Sequence, residues 1–426
     1  TASPTWRQAY NGMSNVKVTD LDLRNDNTVF AATYGRGIFS GPFTSTTLSS
    51  EDIALSKGIR IYPNPSNGVL NIAIANFQFI MKKLYKLTLV FALSLICFQM
   101  NSQEYMIGAD LSFAKEAEDN GYAFKENKKS KKVVEIFREH GYNWIRLRLF
   151  HSPTELPNNL TYTINLAKEA KQRGFKFLLD YHYSDTWADP AKQYVPKTWE
   201  GKTQKEIENL VYEYTKETLE AFRKANVYPD MVQIGNEIST GMLWPYGKLP
   251  ENWDNFAALL KAGINGVYAS VANNSIPKIM IHIDKGGNKE FTKYFFDKLN
   301  TYNIQFDVIG QSYYPWWHGG LLDLKDCLHY TALRYDKDIV LVETAYNYAQ
   351  AEYSSKPAPF PETPQGQKDF LEEVHKIILG IPNNKGKGIF WWEPAAPNKS
   401  FSNRTYFDKD GNVLPVITVF DKYVRY

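Results

Sequence analysis

From Tyr105 onward the chain alternates two kinds of apolar pattern. Short runs rich in β-branched and aromatic residues read as strands at Met106–Phe113, Trp144–Phe150, Lys176–Ser184, Met231–Ser239, Lys278–Gly286, Asp307–Tyr314, Ile339–Tyr346 and Gly388–Pro394. Between them, apolar positions recur at helical spacing, as in Leu160–Arg173, Thr203–Ala225 and Pro364–Leu379. Near-continuous apolarity within a strand suits a parallel sheet covered on both faces. Eight such strands separated by helices predict an α/β architecture, a (β/α)8 TIM barrel, over residues 104–426. No repeat or low-complexity segment interrupts it.

Polar and aromatic groups gather where these runs end. Arg146 and Arg148 belong to the second run; Asp180, His182 and Asp185 to the third; Asn236 and Glu237 to the fourth. His282 and Asp284 follow on the fifth, Ser312, Tyr313, Tyr314, Trp316 and Trp317 on the sixth, Glu343 on the seventh, and Trp391, Trp392 and Glu393 on the eighth. Taken singly, each has an ordinary explanation, such as an ion-pair partner or a core aromatic. Their recurrence at the same end of strand after strand argues for a built site. Glu237 closes the run Met231-Val-Gln-Ile-Gly-Asn-Glu237, and Glu343 closes Ile339-Val-Leu-Val-Glu343. Burying a carboxylate without partners costs several kcal/mol, so such positions call for a role. The C-terminal strand ends form the active face of a TIM barrel. Two carboxylates there, from different strands, are the minimal equipment for cleaving a glycosidic bond.

Composition changes this picture little. The 426 residues are 43% hydrophobic and 22% charged, with a net charge of +3, which gives no reason to invoke nucleic acid or an anionic membrane surface. The 10 Trp, 28 Tyr and 25 Phe supply flat rings that suit sugars and cores alike.

The segment before Tyr105 reads differently. Met81-Lys-Lys-Leu-Tyr-Lys86 is basic, Leu87–Phe98 is a 12-residue apolar stretch, and polar residues follow. That is the layout of a signal peptide over residues 81–103. The stretch is shorter than the roughly 20 residues of a membrane span. A buried core helix is the competing reading. Cleavage near Ser102 or Gln103 is expected, giving a secreted or periplasmic domain with no stable membrane anchor. Cys97 would be removed and Cys327 left as its only thiol. Within residues 1–80, Ile59-Arg-Ile-Tyr-Pro-Asn-Pro-Ser-Asn-Gly-Val-Leu-Asn-Ile72 resembles the start of a type IX secretion sorting domain. Val29-Phe-Ala-Ala-Thr-Tyr-Gly-Arg-Gly-Ile-Phe39 resembles a blade end of sialidase-like β-propellers. Residues 1–80 are therefore expected to be the end of an unrelated protein joined to a second reading frame that starts at Met81.

Several segments of the barrel region carry a more extended resemblance. They are Leu179-Asp-Tyr-His-Tyr-Ser-Asp-Thr-Trp-Ala-Asp-Pro190, Gln233-Ile-Gly-Asn-Glu-Ile238, Gly241-Met-Leu-Trp-Pro245, Ile281-His-Ile-Asp284, Ser312-Tyr-Tyr-Pro315, Val342-Glu-Thr-Ala-Tyr346 and Phe390-Trp-Trp-Glu-Pro394. Together they resemble glycoside hydrolase family 53, the endo-β-1,4-galactanases, across residues 105–426. The resemblance implies that Glu237 is the acid/base and Glu343 the nucleophile of a retaining hydrolase of β-1,4-galactan. It implies that Arg146 bonds the nucleophile and holds it ionised, with Arg148 open to the same role. Asn236 is expected to bind the sugar 2-hydroxyl, Tyr314 to orient Glu343, and Trp392 to floor the cleavage subsite. His182 and Asp185 are expected to line the pocket, and Trp187 and Trp244 to extend the groove. Asp180, His282 and Asp284 complete the set of expected substrate contacts.

Some relatives hold calcium in the loops after the seventh and eighth strands. Here the loop at Asn347–Pro361 lacks clustered carboxylates, and Asp408-Lys-Asp-Gly-Asn412 favours a hairpin turn, so no cofactor or required metal is expected. The expected partner is the polysaccharide alone, bound by a monomer. Two alternatives stay open: a similar barrel cleaving another β-linked polymer such as a mannan or glucan, and a non-catalytic carbohydrate-binding barrel.

Overall fold

The computed structural model describes residues 105–423 apart from 273–275, 352 and 357, together with the backbone of five short strands nearer the N-terminus. It separates into two compact units, Thr1–Glu104 and Tyr105–Tyr426. In the first, Val18–Leu23, Thr28–Thr33 and Gly37–Pro42 form a three-stranded antiparallel sheet, and Ile59–Tyr62 pairs with Asn71–Ile74. The signal-peptide-like segment at 81–103 lies outside the described residues.

The second unit is a closed barrel of eight parallel strands. They are β1 (Met106–Asp110), β2 (Trp144–Leu149), β3 (Lys176–Tyr181), β4 (Met231–Ile234), β5 (Lys278–Ile283), β6 (Val308–Tyr313), β7 (Asp338–Thr344) and β8 (Gly386–Trp391). Among the described residues one main helix fills each connection, α1 (Val133–Glu139), α2 (Leu160–Gln172), α3 (Gln204–Lys224), α4 (Trp253–Ser270), α5 (Lys289–Asn300), α6 (Leu321–Tyr335) and α7 (Pro364–Leu379), and a short helix, Ala114–Asp119, precedes α1. A 3-10 segment, Pro415–Tyr423, follows β8. The helices start where the sequence signals them. Thr203 and Glu206 close a capping box at α3, and Thr363 caps α7 with Pro364 in its first turn. On α3, Ile207, Val211, Thr215, Thr218, Leu219 and Phe222 fall on the buried stripe.

The alternation within each strand sorts side chains into two cores. Ile145, Leu147 and Leu149 join the large cluster between sheet and helices. Met106, Trp144, Leu178, Met231, Met280, Val308, Val340, Val342 and Phe390 form a separate cluster inside the barrel. Gly108 is required there, since a Cβ on it would stand 2.2 Å from a ring carbon of Phe390. Two residues further along, the same strand faces carry Asp110, Arg146, Asp180, Gln233 and His282, all buried. An apolar layer thus lies beneath a polar one.

The strands end earlier than their apolar runs suggest. β4 stops at Ile234 because Gly235 (φ 79°) and Glu237 (φ 47°) take left-handed backbone that cannot continue a ladder. The register slips between Gln311 and Ser312 against β7, and between Leu341 and Thr344 against β8. Such irregularities re-aim side chains, and here they bracket Glu343.

Candidate active site

Glu237 stands just past β4 and Glu343 near the end of β7, and both border a groove of about 730 Å³ at the C-terminal face. One oxygen of each carboxylate and a ring nitrogen of His282 all lie within 4.8 Å of one another. Left-handed backbone at a non-glycine residue costs about 1–2 kcal/mol, so the conformation of Glu237 is held by its surroundings. Ser312 Oγ lies 2.6 Å from its Oε1, and its backbone N–H lies 3.4 Å from His282 Nδ1.

The two glutamates have different surroundings. Arg146 reaches Glu343 at 2.7 Å, Asp110 at 2.9 Å and Asp180 at 2.9 Å, and donates to Asn236 Oδ1 at 2.7 Å. Tyr314 donates its hydroxyl to the other Glu343 oxygen at 3.0 Å. Among the described residues no such ion pair serves Glu237. Burial pushes its carboxyl well above the usual range, and the charges of Glu343, Asp284 and Asp189 add to the effect. Burial raises Glu343 too, but the Arg146 guanidinium and the Tyr314 hydroxyl pull it back. Both carboxyls are thus raised, and the Arg146 cation and the Tyr314 hydroxyl at Glu343 are what set the two apart.

Arg148 does not share the role of Arg146. It pairs with Asp110 at 3.2 Å and with Glu393, and its guanidinium lies 4.4 Å from the centre of the Trp187 ring. Burial raises the Glu393 carboxyl well above the ordinary range.

Of the residues expected at the site, Arg146, His182, Trp187, Asn236, Asp284, Tyr314 and Trp392 line the groove with the two glutamates. Four others expected there do not line it. Asp180 is wholly buried between Arg146 and His182 and pairs with both. His282 is wholly buried one layer down, against Ser312 and Asn236. Asp185 is committed to the backbone N–H groups of Ser152 and Lys197, at 2.9 and 2.8 Å, which fix loops beside the groove. Trp244 donates its ring N–H to the Thr240 carbonyl and meets Lys248 on its face, within its own loop.

Sequence reasoning missed one wall. His318, Tyr353, Phe401 and Arg404 line the groove there, beside Trp317, which the strand-end pattern already includes. The Arg404 guanidinium sits 5.0 Å from the Trp316 ring centre, 5.6 Å from that of Trp317 and 5.8 Å from that of Trp392, which ties the loops after β6 and β8 together. Arg404 and Phe401 lie in a long aperiodic loop that carries no strand or helix signal, whereas the Trp316-Trp317 pair was visible. The expected turn at Asp408–Asn412 is present: Asp408 Oδ1 accepts from the N–H groups of Asp410 and Asn412, and Gly411 has φ 82°.

Glu237 Oε1, both Glu343 oxygens and both His282 nitrogens have hydrogen-bond or ion-pair partners, an arrangement suited to moving protons and presenting a nucleophile. Flat rings flank it: Trp392 lies between Trp187 (6.2 Å) and Tyr314 (6.4 Å). Aromatic faces beside opposed carboxylates can hold a sugar ring over the reacting groups.

Residues 106–420 match the family model described as Glycosyl hydrolase family 53. The chain is 37% identical over 343 residues to an uncharacterized protein in the bgaB 5′ region of Niallia circulans, covering 74% of this chain and 93% of that one. It is 35% identical over 331 residues to arabinogalactan endo-β-1,4-galactanase A of Aspergillus niger, again covering 74% and 93%. Among solved structures, the family 53 catalytic domain of Ignisphaera aggregans superposes with a TM-score of 0.70 at 33% identity, covering 76% of this chain and 97% of that one.

Proposed function

Because the chain belongs to glycosyl hydrolase family 53 and is a glycoside hydrolase, we propose that it cleaves internal β-1,4-galactosidic bonds of pectic arabinogalactan with retention of configuration. The observation that carries this reading is the pair of carboxyl groups from β4 and β7, with oxygens within 4.8 Å, one ion-paired and the other not. Retaining enzymes place their carboxyls about 5–5.5 Å apart, and inverting ones about 6.5–9.5 Å. The Aspergillus niger relative supports the choice of substrate by its name.

In this reading Glu343 attacks the anomeric carbon as Glu237 gives its proton to the departing glycosidic oxygen. The bond to the leaving sugar breaks, and a glycosyl ester forms on Glu343. Glu237, now ionised, takes a proton from water, and that water oxygen displaces Glu343 from the anomeric carbon. Arg146 and Tyr314 hold the nucleophile ionised and aimed. Asn236, itself fixed by Arg146 and by the Ala188 carbonyl at 2.9 Å, faces the groove where a sugar 2-hydroxyl would sit. We extend the proposal to an exported enzyme that acts as a monomer without a membrane anchor. No helix among the described residues is long and apolar enough to cross a membrane.

The test is hydrolysis of purified β-1,4-galactan by residues 104–426 beside Glu343→Gln, with the product anomer followed by NMR. Short galacto-oligosaccharides released as the β-anomer, with about a thousandfold loss or more in the variant, support the reading. Release of the α-anomer overturns retention. Cleavage of mannan or glucan in place of galactan overturns the substrate.

A further inference from the structure

Two buried histidines lie near the glutamates, and their partners differ in kind. His182 accepts the Ala188 N–H on Nδ1 at 3.0 Å and faces the Asp180 carboxylate from Nε2 at 3.1 Å. A donor on one side and an acceptor on the other fix one tautomer. His282 has no such instruction. Its Nε2 lies 2.8 Å from Ser312 Oγ, a hydroxyl that can give or accept. Its Nδ1 faces both an acceptor, Asn236 Oδ1 at 3.1 Å, and a donor, the Glu237 N–H at 3.4 Å. The Asn236 amide cannot turn over to resolve this, because Arg146, which only donates, holds its oxygen. The Ser312 hydroxyl that meets His282 also meets Glu237 Oε1, at 2.6 Å.

Two arrangements satisfy every contact from Ser312 to the ring, one with the Glu237 proton on Oε1 and one with the carboxylate ionised. When Glu237 is protonated, its O–H donates to Ser312, the serine O–H donates to Nε2, and Nδ1–H donates to Asn236. When Glu237 is ionised, the serine O–H donates to the carboxylate, Nε2–H donates to the serine, and Nδ1 accepts from the Glu237 N–H.

We propose that Ser312 and His282 form a two-position hydrogen-bond switch in which the protonation state of Glu237 selects the His282 tautomer, so that the carboxyl keeps its partner and its aim as both acid and base. The proposal rests on the acid/base role given to Glu237 above. Serine and ring each carry one proton in both arrangements. The arrangements differ by the single proton that Glu237 gives to the leaving oxygen and recovers from water, and the ring proton moves between nitrogens by solvent exchange. Ser312 and His282 are positioning residues. The charged and titratable groups around them are Glu343 on β7, Asp284 after β5, Asp189 after β3, Arg146 on β2 and His182 after β3. Burial, with the Arg146 charge, holds His282 well below the usual histidine range, so the ring stays neutral.

The test is 15N NMR of the intact chain labelled at histidine, with His282 assigned by difference from His282→Gln. Bare and protonated ring nitrogens resonate far apart, so each tautomer is read directly. The expected result is a neutral ring that passes from Nδ1–H to Nε2–H as pH rises, with a midpoint on the alkaline limb of the kcat/KM profile. The crossover persists in Ser312→Thr and vanishes in Ser312→Ala and Glu237→Gln. A single tautomer at all pH values, an imidazolium, or a crossover unchanged in Glu237→Gln overturns the proposal. Hydrolysis that survives intact in Glu237→Gln overturns the acid/base assignment instead, so the two failures are distinguishable.

Discussion

Replacing Arg146 by lysine keeps the charge and removes the fork. In the wild-type protein one buried guanidinium serves Glu343, Asp110, Asp180 and Asn236 at 2.7 to 2.9 Å. A lysine ammonium is a compact charge on a flexible stem and does not reproduce that planar set of donors. Asp110 keeps Arg148 and Ser112, and Asp180 keeps His182, so the loss falls hardest on Glu343 and Asn236, both groove residues. Hydrogen bonds to charged groups contribute about 1.5–3 kcal/mol each. Losing one or two of them in the transition state lowers kcat/KM on β-1,4-galactan by about 10 to 10⁴ at 1.36 kcal/mol per tenfold. Weaker pairing also raises the Glu343 carboxyl further, so the acidic limb of the pH profile moves to higher pH. The assay is kcat/KM against pH for both proteins, with melting temperature as a check on folding. A variant that loses activity while its acidic limb stays put would refute the claim that Arg146 keeps the nucleophile ionised.

Three further outcomes are expected. Glu237→Gln is stabilised relative to wild type, increasingly so as pH rises: a raised folded carboxyl contributes stability below its unfolded pKa and loses it as pH climbs through the folded value, whereas an amide does not titrate. Thermal melts from pH 4 to 9 measure this, and a gap that narrows with rising pH contradicts it. Gly108→Ala drives a methyl into the Phe390 ring and costs about 1–3 kcal/mol by urea unfolding; an unchanged midpoint would mean the barrel interior is loose there. Asp185→Ala loses two loop hydrogen bonds and about 1–3 kcal/mol of stability with kcat nearly unchanged; a large fall in kcat at normal stability would return Asp185 to the substrate groove.

The barrel was legible because its strands are covered on both faces and its helices carry apolar stripes, so two periodicities alternate without ambiguity. The strand ends were not. Ile-Gly-Asn-Glu after Gln233 reads as continued strand, yet the chain turns left-handed at Gly235 and Glu237, where the network around Ser312 and His282 replaces the ladder. Depth was equally hidden. Asp180 and His182 are two residues apart on one strand face, and only the structure separates the buried support from the groove wall. Asp185 and Trp244 lie close in sequence to groove residues, but Asp185 joins its own loop to the one after β2 and Trp244 bonds within its own loop. Arg404 could not be found, because its role depends on rings from β6 and β8 that no local pattern brings together.

In the proposed two-step reaction, the apolar layer under Glu237 and Glu343 also governs where the second step gets its water. Met106, Leu178, Met231, Met280, Val308, Val340 and Phe390 are packed and buried on the barrel axis and bar solvent from below. A sugar held on Glu343 covers that carboxylate from above. The attacking water must then come through the space the departing sugar leaves. A chain end that lingers there is positioned to take its place, and sugar hydroxyls at high substrate concentration compete with water to form longer oligosaccharides.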